Sequence, residues 1–356
     1  MCTGDCSKMN DMTRRSFLGA AAATAACPTV WGDEPRRLGF TWCYMLKLGT
    51  NMWCDCVPPR WGNLKPDEMH YKAPSEELRC DDSLWRELTE KARAAGFNML
   101  LMDLGEGVQF PSHPELAVKG SWSPEKLQKE LARLRAIGLE PVPKLNFSTA
   151  HDIWLKDYSR MVSTPKYYQV CADLIRDVAE LFGHPRLFHI GYDEETFGHQ
   201  DRYQYAVVRQ GDLWWHDLLW MVEQIEKSGM RSWIWSDYIW KHTDEFLKRM
   251  PKSVLQSNWY YGKTFDSEKR NTVKAYLDLE RGGFDQMPTG SNYSCVENFA
   301  GTVDFCRKNI SPDRLKGFIM APWRHTIEHW RGDLVSAIDI ARPVIANPSD
   351  KRGIDE

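Results

Sequence analysis

Short apolar runs alternate with longer amphipathic stretches along almost the whole chain, and this repeat restricts the possible folds more than any other feature. The amphipathic stretches show helical spacing, as in Leu127, Leu131 and Leu134. Glycine readily adopts the left-handed conformation that ends many helices, and it precedes several of the apolar runs. These glycines are Gly96, Gly138, Gly229 and Gly283.

Helix starts are marked by a hydroxyl residue followed by proline. The hydroxyl can cap the first turn, and proline suits the first helical position. The pairs are Ser123-Pro124, Thr164-Pro165 and Ser311-Pro312.

We assign candidate strands to eight apolar runs. They are residues 38–44, 98–103, 140–146, 187–193, 232–237, 254–259, 284–290 and 318–323. Eight strand–helix units predict an α/β fold, a (β/α)8 TIM barrel forming a single domain over residues 37–346. A doubly wound sheet is the alternative, because strand order cannot be read from sequence.

Polar and aromatic residues are concentrated at the carboxyl ends of these strands, where TIM barrels carry their reactive groups. They are Asn51, Trp53, Asp55, Asp103, Glu106, Asn146, His151, Asp193, Glu194, Trp235, Asp237, Asn258, Trp259, Asn292, Tyr293, Trp323 and Arg324. Indoles stack on the C–H face of sugars, and polar groups bind the hydroxyls, so this edge predicts a carbohydrate substrate. Core packing is the alternative role for each tryptophan.

The fourth strand leads into adjacent carboxylates, in the sequence His189-Ile190-Gly191-Tyr192-Asp193-Glu194. Alternate strand residues share a face, so His189 and Asp193 point to one side while Glu194 enters the following loop. Glycoside cleavage needs one carboxyl to protonate the leaving oxygen and another group to stabilise positive charge at the anomeric carbon. The pair therefore predicts a glycosidase, with a solvated strand end as the alternative.

Composition argues against several other partners. A formal charge of -3 without a dense run of Lys and Arg argues against nucleic acid. No apolar segment of ~20 residues predicts a stable membrane span. Phosphate-binding glycine loops, serine-hydrolase elbows and zinc-protease helices are missing from the sequence, and we expect no cofactor and no metal. The sequence leaves the oligomeric state open.

The first 26 residues resemble a twin-arginine export signal, with Arg14-Arg15-Ser16-Phe17-Leu18 before an alanine-rich stretch. We expect export by this route to a periplasmic or extracellular location. Residues 27–36 would then be a linker and 347–356 a C-terminal tail. A lipid anchor at Cys27 is an alternative, although Thr24 is a poor match to the large aliphatic residue of such sites.

An oxidising destination would permit disulfides. Proximity in the sequence favours Cys54 or Cys56 with Cys80. Metal binding is the weaker interpretation, because Cys54-Asp55-Cys56 lacks the ligand spacing of a zinc site.

The carboxylate segment resembles the His-x-Gly-Gly-Asp-Glu motif of family 20 glycoside hydrolases, the β-N-acetylhexosaminidases. Pro143-Lys144-Leu145-Asn146, followed by His151 and Trp154, is similar to that family's third-strand segment. The aromatic residues of the family's sugar pocket have counterparts here at Trp235, Trp259, Tyr293 and Trp323.

The resemblance implies a secreted enzyme that removes terminal β-linked N-acetylhexosamine by substrate-assisted, retaining hydrolysis. Glu194 would be the acid and then the base, with a pKa high enough to hold a proton near neutral pH. Asp193 would orient the 2-acetamido group, whose carbonyl oxygen attacks the anomeric carbon. Tyr293 would bind that oxygen, and His151 would support the acid. Substrate-binding roles are implied for Asn146, His189, Trp235, Asp237, Trp259 and Trp323.

The chain departs from the family pattern at several points, one of which is the lack of a sugar-binding arginine in residues 40–44. Tyr192 replaces the second glycine of the motif and is expected to add bulk beside the carboxylates. Asn146 stands where the family has an acid, and Arg324-His325 stands where it has a glutamate.

These departures leave two alternatives open. One is a two-carboxylate glycosidase acting on a sugar without an acetamido group, with Asp237 or Glu106 as the second carboxylate. The other is an inactive barrel that binds carbohydrate.

Overall fold

A computed structural model describes residues 40–347, so the expected export signal and linker, and nearly all of the expected tail, lie outside the described residues. Eight parallel strands form one sheet in the order β6-β5-β4-β3-β2-β1-β8-β7. The strands are β1 Thr41–Lys47, β2 Met99–Asp103, β3 Glu140–Lys144, β4 Leu187–His189, β5 Arg231–Trp235, β6 Leu255–Ser257, β7 Thr289–Gly290 and β8 Gly317–Met320. Isolated parallel bridges, Gln256 with Gln286 and Trp259 with Thr289, nearly close the barrel.

Helices connect consecutive strands on the outside of the barrel. They are α1 Asp82–Ala94, α2 Pro124–Ala136, α3 Pro165–Phe182, α4 Gly211–Lys227, α5 Thr243–Arg249, α6 Asn271–Arg281, α7 Asn298–Asn309 and α8 Arg331–Ile345. The predicted (β/α)8 barrel is confirmed, and the doubly wound alternative is wrong. Among residues 40–347, no helix has the length and apolar character needed to cross a membrane.

The predicted helix starts are correct at two of three positions. Ser123 and Thr164 accept hydrogen bonds from the backbone N–H of Lys126 and Tyr167, so they cap α2 and α3. Ser311-Pro312 opens a turn instead, because the carbonyl of Ser311 accepts from the N–H of Arg314 and a new strand follows at once.

Side chains alternate between the barrel interior and the helix layer, as the pleat requires. The buried residues that fill the interior are Cys43, Met45, Met99, Leu101, Val142, Leu187, Trp233, Trp235, Leu255, Met287, Ile319 and Ala321. The same alternation directs Lys47, Asp103 and Lys144, the last residues of their strands, toward the interior at its carboxyl end. The first strand extends three residues beyond the predicted end at Tyr44, which brings Lys47 into it.

Lys144 and Asp103 form a buried ion pair within the barrel. Lys144 Nζ donates to Asp103 Oδ2 at 2.7 Å, and the two side chains are 0% and 1% exposed. A charge buried this deeply is tolerated because its partner is in contact.

The seven cysteines of the described range are free thiols, so the expected pairing of Cys54 or Cys56 with Cys80 is wrong. The segments carrying them pack in different places: Cys56 Sγ lies 3.3 Å from the carbonyl of Arg202, whereas Cys80 bridges to Thr326.

We expect Asp103→Ala to lower the free energy of unfolding by about 3–5 kcal/mol, because it leaves the Lys144 ammonium buried without a counter-charge. The double variant Asp103→Leu/Lys144→Met removes both charges and should lose much less. Urea denaturation measures both values. Equal losses in the single and double variants would contradict this account.

Candidate active site

The end of β4 turns sharply where the carboxylates stand. Gly191, Tyr192 and Glu194 have φ values of 67°, 74° and 55°, in the left-handed region. Such a conformation costs a residue other than glycine about 1–3 kcal/mol, so the surroundings must hold it. This turn also explains why β4 ends at His189 and not at Asp193 as predicted.

The Asn146 side chain holds this turn in place. Its Oδ1 accepts from the N–H of Tyr192 at 3.1 Å and of Ser148 at 3.0 Å, and its Nδ2 donates to Asp193 Oδ1 at 2.8 Å. The space is tight, since a Cβ on Gly191 would lie 2.0 Å from Asn146 Oδ1. An amide both accepts and donates, which a carboxylate at this position could not do.

Glu194 lies between two imidazoles at the mouth of the barrel. His151 Nε2 is 3.1 Å from Oε2, and His199 Nε2 is 3.4 Å from Oε1. The Glu194 side chain is 27% exposed, and its backbone N–H donates to Asp237 Oδ2 at 2.9 Å. His151 Nε2 also lies 3.5 Å from Asp193 Oδ2, so one imidazole contacts both acids.

The pKa of Glu194 is lowered from its ordinary value. Burial acts to raise this pKa, but hydrogen bonds from His151 and His199 favour the carboxylate and outweigh burial. The expectation of a raised pKa for this acid is therefore wrong for this arrangement of the site. Asp237 is the carboxyl whose pKa is raised well above its ordinary value, by burial and then by the charge of Asp193.

The loop that carries Glu194 is anchored by its neighbour Glu195, which the sequence analysis did not single out. Arg209 donates to both oxygens of Glu195, through Nε and Nη2 at 2.7 Å each. It also reaches Asp217 and the carbonyl of Phe147. This bidentate pair is buried and ties the loop to α4 and to the loop after β3.

The predicted indoles meet at the carboxyl end of the barrel. Trp235 is buried, with its ring 5.7 Å from that of Trp323. Trp259 and Trp323 are partly exposed, and Trp323 has a left-handed backbone with φ 56°. Trp259 stacks on Tyr261 at 5.1 Å, so the aromatic wall continues beyond the tryptophans that were predicted.

Tyr261 is a second functional candidate that the sequence analysis missed. Trp323 Nε1 donates to its hydroxyl at 2.9 Å. Burial raises its pKa, the bond from Trp323 lowers it, and the carboxylates of Asp193, Glu194 and Asp237 raise it further. The predicted Tyr293 lies elsewhere at the mouth: a Cβ on Gly62 would lie 3.2 Å from its hydroxyl, and the Arg324 guanidinium lies over its ring.

Two predictions about β4 need correction. Tyr192 does not crowd the carboxylates, because its ring packs on Trp214 of α4 at 5.2 Å, on the outer side of the barrel. His189 is completely buried beneath Trp235, with ring centres 4.2 Å apart, so it supports that indole and has no surface for substrate. Its Nδ1 accepts from the N–H of Gly191. Burial, and then Lys144, holds its pKa well below the usual value.

Glu106 has a structural role. It is buried, and its Oε1 accepts from the backbone N–H of Thr50 at 2.6 Å and of Asn51 at 3.0 Å. These bonds hold the loop after β1, so Glu106 is not free to act as a second catalytic carboxylate.

His151, Asp193 and Glu194 could together hold a metal ion, since each offers a ligand atom and these atoms lie within 4.8 Å of one another. One imidazole with two carboxylates suits several divalent cations. The same atoms form the acid pair, so metal binding and proton transfer by Glu194 would exclude each other.

Comparison with known proteins shows similarity of fold. No protein-family model and no curated protein matches the chain. The β-N-acetylhexosaminidase of Bacteroides fragilis superposes with a TM-score of 0.54 at 12% identity, over 84% of this chain and 65% of that chain.

Two further structures show the same barrel. The Streptomyces plicatus N-acetyl-β-hexosaminidase in complex with Thio-NAglucal has a TM-score of 0.55 at 13% identity, over 86% of this chain and 64% of that chain. Dispersin B has a TM-score of 0.51 at 14% identity, over 74% of this chain and 95% of that chain. The chain spans less than two thirds of the length of the two hexosaminidases. The (β/α)8 fold is what they share.

We expect the His199 imidazole to titrate above its ordinary value of 6.5, because the Glu194 carboxylate stabilises its protonated form. In Glu194→Gln the pKa should fall to or below that value, since burial remains and the carboxylate is gone. Histidine titration by NMR measures both. His184, whose ring bonds to the carbonyl of Ser228, serves as an internal reference. An unchanged His199 pKa in the variant would show that the pair does not form in solution.

Proposed function

We propose that this protein is a glycoside hydrolase that removes a terminal β-linked N-acetylhexosamine by substrate-assisted, retaining hydrolysis. The observation that carries the proposal is the Asp193–Glu194 pair at the carboxyl end of the barrel. Asn146 bonds Asp193 and His151 contacts Glu194, and the indoles Trp235 and Trp323 meet at the same end of the barrel. The fold shared with β-N-acetylhexosaminidases supports it.

In the first step the acetamido carbonyl oxygen of the sugar attacks its own anomeric carbon. Asp193, held by the hydrogen bond from the Asn146 amide, orients the acetamide N–H and stabilises the positive charge that develops there. The bond from the anomeric carbon to the leaving oxygen breaks, and Glu194 gives that oxygen a proton.

In the second step Glu194, now a carboxylate, takes a proton from water. This water attacks the anomeric carbon from the side that the leaving group vacated, which restores the acetamide and retains the configuration. Two displacements at one carbon give net retention.

The proton of Glu194 comes from the His199 imidazole. His199 has a pKa raised first by its bond to Glu194, and its side chain is 46% exposed. A sugar entering the mouth would exclude water and take the place of His199 beside Glu194, and both changes raise the pKa of the acid. The lowered pKa of Glu194 is therefore compatible with acid catalysis once substrate is bound.

The two-carboxylate alternative has less support. The carboxylate of Glu106 already accepts hydrogen bonds from backbone N–H groups. Asp237 has a pKa raised by burial, and its Oδ2 already accepts from the backbone N–H of Glu194, so it is poorly placed to act as a nucleophile.

We propose export by the twin-arginine route to a periplasmic or extracellular location. This proposal is supported by residues 13–26 alone, where Thr13-Arg14-Arg15-Ser16-Phe17-Leu18 precedes an alanine-rich stretch.

Hydrolysis of 4-nitrophenyl β-N-acetylglucosaminide by the purified protein tests the activity. Glu194→Gln should lower kcat/KM by about 10²–10⁴-fold. The loss should be larger for an N-acetylglucosamine disaccharide, whose leaving alcohol needs the proton more than nitrophenolate does. Glu297→Gln, a change of a surface acid that bonds Lys263, is the matched control. Full activity in Glu194→Gln would overturn the assignment.

The mechanism is tested separately with an N-trifluoroacetyl substrate. Fluorine makes the carbonyl oxygen a weaker nucleophile, so the rate should fall steeply if this oxygen attacks the anomeric carbon. A two-carboxylate enzyme would show little change. EDTA should leave the rate unaltered, and a loss that Zn²⁺ or Mn²⁺ restores would indicate instead that His151, Asp193 and Glu194 hold a metal.

We infer that Tyr261, rather than Tyr293, donates a hydrogen bond to the acetamido oxygen, because its hydroxyl lies in the field of the three carboxyls. Tyr261→Phe should lower kcat/KM by about 10-fold or more, with most of the loss in kcat, since the oxygen gains charge in the transition state. Tyr293→Phe is the matched control and should lower kcat/KM less than Tyr261→Phe does. The opposite order would assign the role to Tyr293.

A further inference from the structure

Two lysines lie buried against a single indole on the β1 side of the barrel mouth. Lys47 ends β1, and Lys72 ends a 3₁₀ helix over Pro66–Lys72. Their Nζ atoms lie 3.4 Å and 3.6 Å from the centre of the Trp53 ring. The two residues are 1% and 6% exposed.

Neither amine has an anionic partner in the described part of the chain. Lys47 Nζ has no hydrogen-bond partner within residues 40–347. The buried acid nearest in the barrel, Asp103, is already bound by Lys144. Arg324 has its own partner, since its Nε donates to Asp333 Oδ2 at 2.7 Å.

Basic side chains, two amines and an imidazole, therefore surround Trp53. The imidazole of His325 lies 5.1 Å from the same indole, and its Nε2 has no partner in the described range. Burial, and then Lys72, lowers the pKa of Lys47. Burial, and then Arg324, lowers the pKa of Lys72 to about 7. The cation–π contacts offset only part of the free-energy cost of burying these amines. A bound anion would supply the negative counter-charge that the described residues do not provide.

This cluster, Lys47, Lys72, Trp53 and His325, contacts the aromatic residues at the carboxyl end of the barrel. Lys47 Nζ lies 5.2 Å from the Trp323 ring, and Trp323 in turn contacts Trp235 and Tyr261. Strands β1 and β8 lie across the barrel from β4 and β5, which carry the acids. A sugar between the indoles would thus have Glu194 on one side and the amines on the other.

We propose that the sugar cleaved by this protein carries an oxyanion, a sulfate ester or a carboxylate, which Lys47 and Lys72 bind beside Trp53. The inference rests on the proposed function and refines its substrate. Both anions accept charge-assisted hydrogen bonds from ammonium groups, and binding either one would draw a proton onto each amine.

The experiment compares kcat/KM for 4-nitrophenyl β-N-acetylglucosaminide, its 6-sulfate and 3-sulfate, and the 2-acetamido-2-deoxy-β-glucuronide, whose carboxylate replaces C6 while the acetamido nucleophile is kept. We expect one charged substrate to exceed the uncharged one by about 10-fold or more, and Lys47→Met or Lys72→Met to abolish this preference. Lys241→Met is the matched control, because it makes the same substitution near His199, on the acid side of the mouth. The Lys241→Met variant should keep the preference for the charged substrate. The sulfates and the glucuronide decide which anion is bound.

Equal or lower kcat/KM for every charged substrate would overturn the proposal while leaving the proposed function intact. Calorimetric binding of N-acetylglucosamine, its 6-sulfate and 3-sulfate, and glucuronic acid gives a readout that needs no turnover. Tighter binding of a charged sugar, lost in Lys72→Met but kept in Lys241→Met, would support the amine site even if no substrate were hydrolysed. Circular dichroism confirms that each variant is folded.

Discussion

The side-chain amide of Asn146 is the group on which the rest of the site depends. It joins β3 to the left-handed turn after β4 by accepting from Tyr192 and Ser148 and donating to Asp193. This connection, together with the bond from the Glu194 N–H to Asp237, offsets the strain at Tyr192 and Glu194. Asn146 can do this because an amide both accepts and donates hydrogen bonds.

Charge is divided across the mouth of the barrel. Asp193, Glu194 and Asp237 lie at the ends of β4 and β5, and Lys47 and Lys72 lie on the β1 side. Trp53 contacts both amines, and Lys47 also lies 5.2 Å from the Trp323 ring, which bonds Tyr261. A ligand with a basic leaving oxygen at one end and an anion at the other would satisfy both sides, and this links the proposed chemistry to the proposed specificity.

Pattern reasoning found all eight strands, and the ends of β2 at Asp103 and of β7 at Gly290, because alternation and glycine positions are local properties. The sequence patterns did not reveal Lys47, because the predicted first strand ended at Tyr44, three residues too early. It misplaced Tyr192 because the turn at Gly191 breaks the alternation that the argument assumed. Tyr261 and Lys72 lie in loops, where no periodic signal shows which side chains face the mouth.

The sequence by itself determined the eightfold strand–helix repeat, the barrel that follows from it, and the presence of adjacent acids at the end of β4. These depend on spacing along the chain, which local backbone geometry enforces. Only the tertiary structure decided that Glu194 lies between two histidines, that Glu106 is fastened to backbone amides, and that two amines share one indole. Those facts depend on distances between strands remote in sequence, and the pKa of each group follows from such distances.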